Sequence, residues 1–356
     1  MSNSRILVIN PGSTSTKIAL FEGPDQVRAQ EVSHPAAELA RFKSNLEQLE
    51  FRRQALTEAL NAWGITPADC AAIIGRGGPL KPLRSGVYRI NEAYLTDIRE
   101  GRCVDHASIL GGMLAHALAA PAGRPAFIAD PVSVDEFEEV ARLSGWPALP
   151  RPTYSHALNI KAVIREWAAE QGRPADRLNV IVAHLGGGIS VAAHRQGRLI
   201  DVESSSDSGP FSPERAGTLP LSGLLKLLAS DSRPVKDWRK IFNGQAGLVA
   251  HLGTADVREV EARIVAGDAK AALVLEAMAY GVAKAIGAMA VVLAGQIDAI
   301  ILTGGIAHNA RVVNWISDRV RFLAPVVVKP GQNEMKALAA HALNALANPA
   351  IVQEYV

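Results

Sequence analysis

The chain has 356 residues, of which 48% are hydrophobic, and 37 Lys and Arg residues stand against 35 Asp and Glu residues. This length suggests two domains of ordinary size, and a net charge of +2 gives no field that would attract nucleic acid or an anionic membrane. Cys70 and Cys103 form no CxxC motif, which argues against a disulfide framework or a thiolate metal site and favours a reducing, cytoplasmic compartment.

No segment of the sequence has the pattern of a signal or a membrane span. Met1–Arg5 is polar and leads into a predicted strand, so we expect no secretory signal. The most apolar stretch, Ala285–Gly295, is far shorter than the roughly 20 residues that span a bilayer. We therefore interpret it as part of a buried helix and expect no membrane partner.

Two stretches half a chain apart share one pattern: an apolar strand, a loop of small residues and a second strand. The two copies are Ile6–Ile9, Asn10–Ser15 and Thr16–Phe21, and Val180–Ala183, His184–Gly188 and Ile189–Ala193. Aligning Asn10 with His184 places Gly12 opposite Gly186, an offset of 174 residues. This predicts a duplicated strand–loop–strand unit, one in each domain, although two short apolar hairpins can also resemble each other by chance.

Helices and strands alternate along the rest of the chain, which is typical of an α/β fold. The predicted helices are Leu39–Trp63, His106–Ala120, Ala157–Ala169, Ala271–Leu293 and Glu334–Ala347. Further strands are predicted at Ala126–Ala129, Arg198–Val202 and Ala299–Leu302. The turn-rich stretch Trp146–Pro152 is the best candidate for a domain boundary.

Three glycine-containing loops each follow an apolar strand directly: Asn10–Lys17, His184–Gly188 and Gly304–Asn309. Glycine lets backbone N–H groups approach phosphate oxygens closely. None of the loops matches a Walker A or a Rossmann motif, and any one of them alone can be a plain tight turn. The three together favour binding of nucleotide phosphates.

Several charged residues lie next to glycines or at predicted strand ends. Arg76 lies in Gly75–Arg76–Gly77–Gly78, Arg215 lies between Pro213 and Gly217, and Asp130 follows a predicted strand. Arginine forks in such places can neutralise a phosphoryl group during transfer, although a surface arginine is usually a solvated charge. Asp130 can also simply cap a turn. The chain has no HExxH motif or other zinc-ligand spacing, which argues against a zinc site, and no GxSxG motif, which argues against a serine hydrolase.

Taken in order, these segments resemble the acetate and butyrate kinase (acetokinase) family over nearly the whole chain, from Ile6 to about Ala340. The segments that carry the resemblance are Val8–Lys17, Gly75–Gly78, His184–Gly188, Phe211–Arg215, Asp256–Arg258, Thr303–Asn309 and Pro330–Met335. Gly75–Gly78 and Pro210–Arg215 are similar to the butyrate kinase branch. The resemblance implies two related ribonuclease H-like, actin-like ATPase domains with an active-site cleft between them. It implies domains at 1–152 plus 337–356, on the acid-binding side, and at 153–336, on the nucleotide-binding side.

The resemblance also implies roles for individual residues. The implied catalytic residues are Arg76 for the substrate carboxylate, Arg215 and His156 for the transferring phosphoryl group, and Asp130. Asn10 and Glu334 match the positions that organise Mg²⁺. The implied ATP- and ADP-binding residues are Asn10, Ser13, Ser15, Lys17, His184, Leu185, Gly186, Gly187, Gly188, Asp256, Val257, Arg258, Gly304, Gly305, Ile306, Ala307, His308 and Asn309.

Two segments depart from the family pattern. Ser155 stands before His156 where an aromatic residue is expected, and Ser204–Ser208 replaces an acidic turn that contains asparagine. The first departure bears on the register of His156, and the second bears on substrate preference, because that turn precedes Arg215.

The implied reaction is reversible phosphorylation of a short-chain fatty acid by ATP with Mg²⁺, giving an acyl phosphate, in a homodimer or higher homo-oligomer. A related acid such as acetate, propionate or isobutyrate remains an alternative to butyrate. A sugar or other hydroxyl kinase, an ATP hydrolase and a non-catalytic ATP-binding module are further alternatives. Arg76 favours the carboxylate kinase, since a sugar site is lined by amides and carboxylates.

Overall fold

The computed structural model describes residues 4–356, so residues 1–3, which begin the predicted first domain and the polar N-terminal stretch, lie outside it. The strands of this range are β1 Arg5–Pro11, β2 Ser15–Glu22, β3 Asp25–Ser33, β4 Ala72–Arg76, β5 Val87–Arg89, β6 Ala126–Ala129, β7 Asn179–Leu185, β8 Ile189–Arg195, β9 Arg198–Ser204, β10 Ala299–Gly304, β11 Val326–Pro330 and β12 Val352–Glu354. The helices are α1 Ala36–Leu39, α2 Leu49–Ala62, α3 Glu92–Arg99, α4 Leu110–Ala119, α5 Glu139–Arg142, α6 Ala157–Glu170, α7 Leu221–Ser230, α8 Val235–Gly244, α9 Gly247–Leu252, α10 Val257–Val265, α11 Ala269–Val292, α12 Ala310–Val320 and α13 Glu334–Ala347.

The chain forms two compact units: unit 1 runs to Asp135 and resumes with Asn333–Val356, and unit 2 is Glu136–Gln332. These limits differ from the predicted ends of the first domain segment at residue 152 and of the second domain at residue 336. The residues after 135 belong with unit 2 because Glu136 Oε2 accepts hydrogen bonds from Lys161 Nζ and the Leu199 amide, both at 2.8 Å. The turn-rich stretch 146–152 therefore lies inside unit 2 and does not mark its edge.

Unit 1 is built on a seven-stranded mixed sheet with the order β12-β5-β6-β4-β1-β2-β3. Strand β1 pairs antiparallel with β2 and parallel with β4, which pairs parallel with β6. Ile6–Ile9 are fully buried, as expected for a strand in a sheet with helices on its faces, and α4 and α13 both contact β1. Because β1, β4 and β6 run in the same direction, their carboxyl ends meet at one edge of the sheet.

Unit 2 is built on a five-stranded sheet with the order β11-β10-β7-β8-β9. Strand β7 pairs antiparallel with β8 and parallel with β10, which pairs parallel with β11. Helix α11 contacts β7, β8 and β9, whereas α6 contacts β7 and β10. The loop between β7 and β8 lies at the carboxyl end of β7.

The two sheets repeat one arrangement, which confirms the predicted duplication. The offset of 174 residues maps Arg5–Pro11 onto Asn179–Leu185. The five-strand order β6-β4-β1-β2-β3 of unit 1 corresponds to β11-β10-β7-β8-β9 of unit 2. Even the register agrees, since Ile6 pairs with Ala72 and the corresponding Val180 pairs with Ala299.

One predicted helix is shorter in the structure. Apolar spacing predicts a helix over Leu39–Trp63, but α2 begins only at Leu49, and α1 ends at Leu39. Between them, backbone amides bond to side chains: the Lys43 amide donates to Glu47 Oε2 at 2.8 Å and the Asn45 amide to Asp105 Oδ1 at 3.1 Å. Such side-chain partners compete with helical hydrogen bonding.

Helix α11 is, by length and composition, the one helix of residues 4–356 that could cross a membrane. Its buried residues, which include Val274, Met278, Val282 and Ile286, belong to the hydrophobic core of unit 2. The helix therefore serves as a core helix of this unit, packed between the sheet and its neighbours α10 and α12.

Candidate active site

Asn10, Arg76 and Glu334 form a polar cluster in unit 1. Asn10 is near the end of β1, Arg76 ends the neighbouring β4, and Glu334 begins α13. Glu334 Oε2 accepts hydrogen bonds from Asn10 Nδ2 at 2.7 Å and from Arg76 Nη1 at 3.1 Å. The Glu334 side chain is 8% exposed and that of Arg76 is 23% exposed, so the guanidinium extends from a buried carboxylate toward solvent.

This cluster offers oxygen ligands of the kind that Mg²⁺ uses. Glu334 supplies a carboxylate and Asn10 an amide oxygen. Within residues 4–356, no group of three or more His, Cys, Asp and Glu side chains is arranged to hold a metal. Mg²⁺ in nucleotide sites is commonly held by one or two protein groups together with phosphates and water. The donor set at Asn10 and Glu334 fits that mode of binding.

Asp130 follows β6 at the same sheet edge and is almost completely buried. Its Oδ1 accepts hydrogen bonds from the Ser85 hydroxyl at 2.6 Å and the Gly86 amide at 2.9 Å, and its Oδ2 lies 2.9 Å from His341 Nε2. Its backbone has a φ of 38°, which is uncommon for a residue other than glycine. Both oxygens are thus engaged within unit 1, an arrangement suited to fixing neighbouring groups.

The first predicted phosphate loop is a tight turn between β1 and β2. The Gly12 amide donates to the Ser15 carbonyl at 2.7 Å. Ser13 and Lys17 are exposed, and Lys17 lies opposite Asn10 in the hairpin. The Ser15 hydroxyl donates to Glu31 at 2.5 Å. The hairpin thus brings a cation and an amide side chain together beside an exposed turn.

The second predicted phosphate loop, Gly186–Gly188, joins β7 to β8, and Arg215 packs against it. A Cβ at position 188 would lie 2.5 Å from Arg215 Nη1, so a side chain there would displace the guanidinium from its present position. The Gly187 carbonyl accepts a hydrogen bond from the Ser212 hydroxyl at 2.6 Å, and Arg215 Nη1 donates to Ser206 Oγ at 2.8 Å. Burial lowers the pKa of Arg215, and the charge of Glu214 opposes that change.

His156 and His184 lie together at the start of this loop. Their rings stack with centroids 4.0 Å apart and an angle of 15° between their planes. His156 Nδ1 is 2.9 Å from Ser190 Oγ, and the Asn159 amide donates to His184 Nδ1 at 2.9 Å. Both histidine rings are thus held by polar side chains as well as by each other.

A pocket of about 680 Å³ in unit 2 brings three predicted nucleotide-binding segments together. Its lining includes Gly186 and Gly187, residues 255–258, and Gly305, Ile306, His308 and Asn309. Leu185, Val257 and Ala307 have side chains in the hydrophobic core, so their main chains alone can face a ligand. Gly304 has a φ of 92° and exchanges two backbone hydrogen bonds with Gly331.

Two ion pairs hold charged groups at this pocket. Asp256 caps α10, and hydrogen bonds from the Arg258 side chain and amide lower the pKa of Asp256 to about 2. Glu261 binds Arg311 at 2.9 Å and accepts from Asn309 Nδ2 at 3.2 Å. Hydrogen bonds from Arg311 lower the pKa of Glu261. Both carboxylates are therefore charged at neutral pH, and Arg258 is left exposed at the rim.

Comparison with known proteins shows which family the chain belongs to. Residues 154–338 match the model of the acetokinase family. The chain is 49% identical over 342 residues to a protein named probable butyrate kinase 2 from Caldanaerobacter subterraneus subsp. tengcongensis, with 96% of this chain and 97% of that protein covered. It is 48% identical over 353 residues to a probable butyrate kinase from Bacteroides thetaiotaomicron, with 99% of each covered. The chain belongs to the acetokinase family.

Solved structures of an acetate kinase and a propionate kinase share this fold. The acetate kinase of Porphyromonas gingivalis has a TM-score of 0.78 at 19% identity, with 96% of this chain and all of that chain covered. A propionate kinase from Francisella tularensis subsp. tularensis has a TM-score of 0.73 at 20% identity, with 95% and 98% covered. At such identities the likeness concerns the fold, and it confirms the predicted α/β class.

The structure groups the predicted site residues of this acetokinase family member by unit. Asn10, Arg76 and Glu334 are in mutual contact in unit 1, whereas Asp130 forms its own network there. Ser13, Ser15 and Lys17 belong to the first loop of unit 1 and the strand after it. The remaining implied residues lie in unit 2, around the second loop and the segments that line the pocket. Partners that the sequence did not predict are Ser206, Glu261, His341 and Gln332. His341 follows Glu334 by seven residues on α13, a spacing that places both on one helix face.

Proposed function

We propose that this acetokinase family member transfers the γ-phosphoryl group of ATP to the carboxylate of a short-chain fatty acid, reversibly, and that the acid is butyrate. The observation that carries the nucleotide part is a pocket of unit 2 lined by residues from three of the four predicted nucleotide-binding segments. Support for butyrate comes from the names of relatives that are 47–49% identical over nearly the full chain.

In this proposal the nucleotide binds mainly to unit 2. The adenosine part lies against residues 256–258 and 305–309, and its phosphates contact Gly186–Gly188. Backbone amides of glycine loops are suited to this contact because no side chain intervenes. The closeness of these segments in one pocket supports the assignment.

Unit 1 supplies the acid-binding and metal-binding residues. Arg76 binds the substrate carboxylate, since a guanidinium fork matches a planar anion. Bound Mg²⁺ would neutralise charge on the phosphates, and Asn10 and Glu334 would hold it. Asn10 and Arg76 both donate hydrogen bonds to Glu334 Oε2, and this shared contact supports the proposal that the three side chains act together.

The proposed chemistry needs charge stabilisation more than a base. A fatty-acid carboxylate has a pKa of about 4–5, so it is already an ionised nucleophile at neutral pH. The barrier arises because an anion attacks a polyanion, and Arg76, Arg215, Lys17 and loop amides supply positive charge to the transition state. The carboxylate oxygen attacks phosphorus in line as ADP leaves, without a phosphoenzyme.

In this proposal His156 donates to the transferring phosphoryl group, whereas Asp130 has a positioning role. The contact of His156 with Ser190 and its stacking on His184, which hold the ring, support its role. Asp130, whose oxygens bond to Ser85, Gly86 and His341, orients unit 1 residues and does not take a proton. An acid that is already ionised makes a general base unnecessary.

The proposal includes a cytoplasmic homodimer or higher homo-oligomer. Exposed apolar side chains on α11, namely Leu273, Tyr280 and Val291, and on α7, namely Leu221 and Leu225, are candidates for the interface. Sedimentation velocity of the purified protein checks this part. A concentration-independent monomer would contradict it.

Trapping acyl phosphate as hydroxamate tests the proposed reaction. Acetate, propionate, butyrate, isobutyrate and valerate are compared with Mg²⁺ and ATP, with glucose and glycerol as hydroxyl controls. We expect hydroxamate with butyrate among the highest rates, and because one methylene is worth about 1–3 kcal/mol, neighbouring acids should differ by about tenfold or more. Phosphate esters from the alcohols would indicate a hydroxyl kinase, and phosphate release independent of acid would indicate an ATP hydrolase.

A further inference from the structure

Arg52 is a fully buried arginine on α2, next to the first phosphate loop. Arginine is almost never fully buried in proteins unless it is paired. Burial lowers the pKa of the Arg52 guanidinium, but the group keeps its charge, because arginine is not deprotonated in proteins. Its position inside unit 1 therefore needs an explanation.

The guanidinium of Arg52 binds the carbonyl oxygens of the loop. Nη1 donates to the Gly12 carbonyl at 2.9 Å and the Ser15 carbonyl at 3.2 Å, and Nη2 donates to the Ser13 carbonyl at 3.0 Å. Gln48 Oε1 fixes the guanidinium from the other side, accepting from Nε at 3.0 Å and Nη2 at 2.8 Å. A single side chain thus holds three successive parts of the turn.

These acceptors are neutral, and the charge of Arg52 is not cancelled. In the range 4–356, none of the ion pairs involves Arg52, whereas its neighbour Arg53 pairs with Glu50. A buried cation without a carboxylate is costly, and its field is weakly screened. The first phosphate loop is therefore in direct contact with the full positive charge of the Arg52 guanidinium.

The amides of the same loop are left available. The Thr14 carbonyl accepts from the His34 amide at 2.8 Å, so the carbonyls of residues 12–15 all have partners inside unit 1. Among the described residues, neither the Ser13 amide nor the Thr14 amide donates a hydrogen bond, and both residues are exposed. Exposed amides close to a buried cation favour the binding of an anion.

We propose that Arg52 is a positioning residue that prepares this loop for the terminal phosphoryl group of ATP. Its guanidinium binds the loop carbonyls, so that they do not face the anion, and it adds a positive charge close to the Ser13 and Thr14 amides. This inference rests on the proposed kinase function in one respect: that function identifies the bound anion as the terminal phosphoryl group of ATP. Arg52 itself contacts no substrate, because its donors bind the loop and Gln48.

The test compares Arg52→Met, Arg52→Lys and, as matched control, Arg53→Met on the same helix. Affinities for ATP and ADP with Mg²⁺ are measured by calorimetry below the melting temperature of each variant. We expect Arg52→Met to weaken ATP binding by about tenfold more than ADP binding, the effect of losing one strong charge-assisted interaction. Arg52→Lys, which keeps the charge but loses the fork, should show a smaller preferential loss. Arg53→Met should leave both affinities unchanged.

A merely structural Arg52 would lower the melting temperature without changing the ratio of ATP to ADP affinity. If folded Arg52→Met keeps that ratio within about twofold of the wild-type value, the proposal is overturned. Should Arg52→Met fail to fold, the Arg52→Lys ratio decides alone. Because binding and not turnover is measured, a wild-type protein that makes no acyl phosphate would refute the proposed reaction and leave this test intact.

Discussion

Arg76 and Arg215 have different surroundings, although both are assigned to one phosphoryl transfer. Arg76 is bound to the carboxylate of Glu334 and is partly exposed. Arg215 is held by Ser206 across Gly188, and burial lowers its pKa. A paired, accessible guanidinium suits binding of the ground-state acid. A guanidinium packed beside the second phosphate loop suits charge that develops during transfer.

This difference predicts separable kinetic effects. Arg76→Ala should raise KM for the acid more than KM for ATP, because uniform binding is lost. Arg215→Ala should chiefly lower kcat, by about 10²–10³, as removal of a transition-state donor does. Arg76→Lys and Arg215→Lys should recover activity only in part, since lysine lacks the planar fork. Steady-state kinetics decide; near-normal kcat for Arg215→Ala would remove its assignment.

We predict that His34 contributes to the pH dependence of the protein's stability. Burial, helped by the charge of Arg52, lowers the pKa of His34 from 6.5 to about 4. Between these values the unfolded chain binds the proton and the folded protein does not, so stability falls as pH drops from 6.5 to 4 and is unaffected above 6.5. The loss amounts to about 3 kcal/mol at most.

Urea unfolding across this pH range measures the effect, with His34→Gln as the comparison. Gln can still bond to Thr16 Oγ1, which lies 2.9 Å from His34 Nε2. The free energy of unfolding of the variant should fall less steeply between pH 6.5 and 4 than that of the wild-type protein. Equal slopes for the two proteins would show that His34 is not held neutral by the fold.

The sequence predicted candidate site residues where they lie at or near the ends of apolar strands, and it missed partners that only tertiary contacts bring in. Asn10, Arg76 and Asp130 follow or end strands, and parallel pairing then places them at one edge. Arg52 reaches its loop over 40 residues of chain, and His341 reaches Asp130 over 211. Local spacing carries no information on such pairs, because only the folded arrangement of helices against the sheet creates them.

At the scale of elements, glycine lets one of the loops proposed to bind nucleotide take its shape. Gly304 ends β10 with a φ of 92°, and a Cβ there would collide with the Leu185 carbonyl on the neighbouring strand β7. The adjacent Gly305 has an ordinary φ, and a Cβ there would meet no atom within 4 Å. Of the two neighbouring glycines, only Gly304 is therefore required by the backbone conformation and by the close approach of β7.

Gly304→Ala should therefore destabilise the protein, whereas Gly305→Ala should not. We expect a loss of about 2–4 kcal/mol for Gly304→Ala, from backbone strain together with overpacking. The effect of Gly305→Ala should stay within about 0.5 kcal/mol. Denaturant unfolding of the two variants checks this, and equal effects would contradict the account of the loop.

The elements themselves were predictable where one local signal dominated. Continuous apolar runs predicted β1, β7 and β10, and α13 has the predicted limits Glu334–Ala347. The helix predicted from Leu39 failed because side chains, such as Glu47 to the Lys43 amide, occupy backbone groups there. Such competition depends on conformations that periodicity does not encode.

At the scale of the molecule, the chain uses one strand arrangement twice, and we propose different tasks for the two copies. The 174-residue offset made the duplication visible in the sequence, because both copies keep an apolar strand before the loop. The limits of the units were less predictable. Residues 136–151 lack a strong local signal, and Arg151, for instance, bonds to the Val202 carbonyl at 3.1 Å in unit 2.

The central claim is that a fatty-acid carboxylate attacks the γ-phosphorus of ATP directly. Butyrate labelled with ¹⁸O in both carboxylate oxygens, mixed with the protein, ATP and Mg²⁺, tests it by ³¹P NMR. We predict butyryl phosphate with a single ¹⁸O bonded to phosphorus, formed in step with ADP, because the attacking oxygen becomes the bridge. Unlabelled phosphate released at the same rate with or without butyrate would contradict the account.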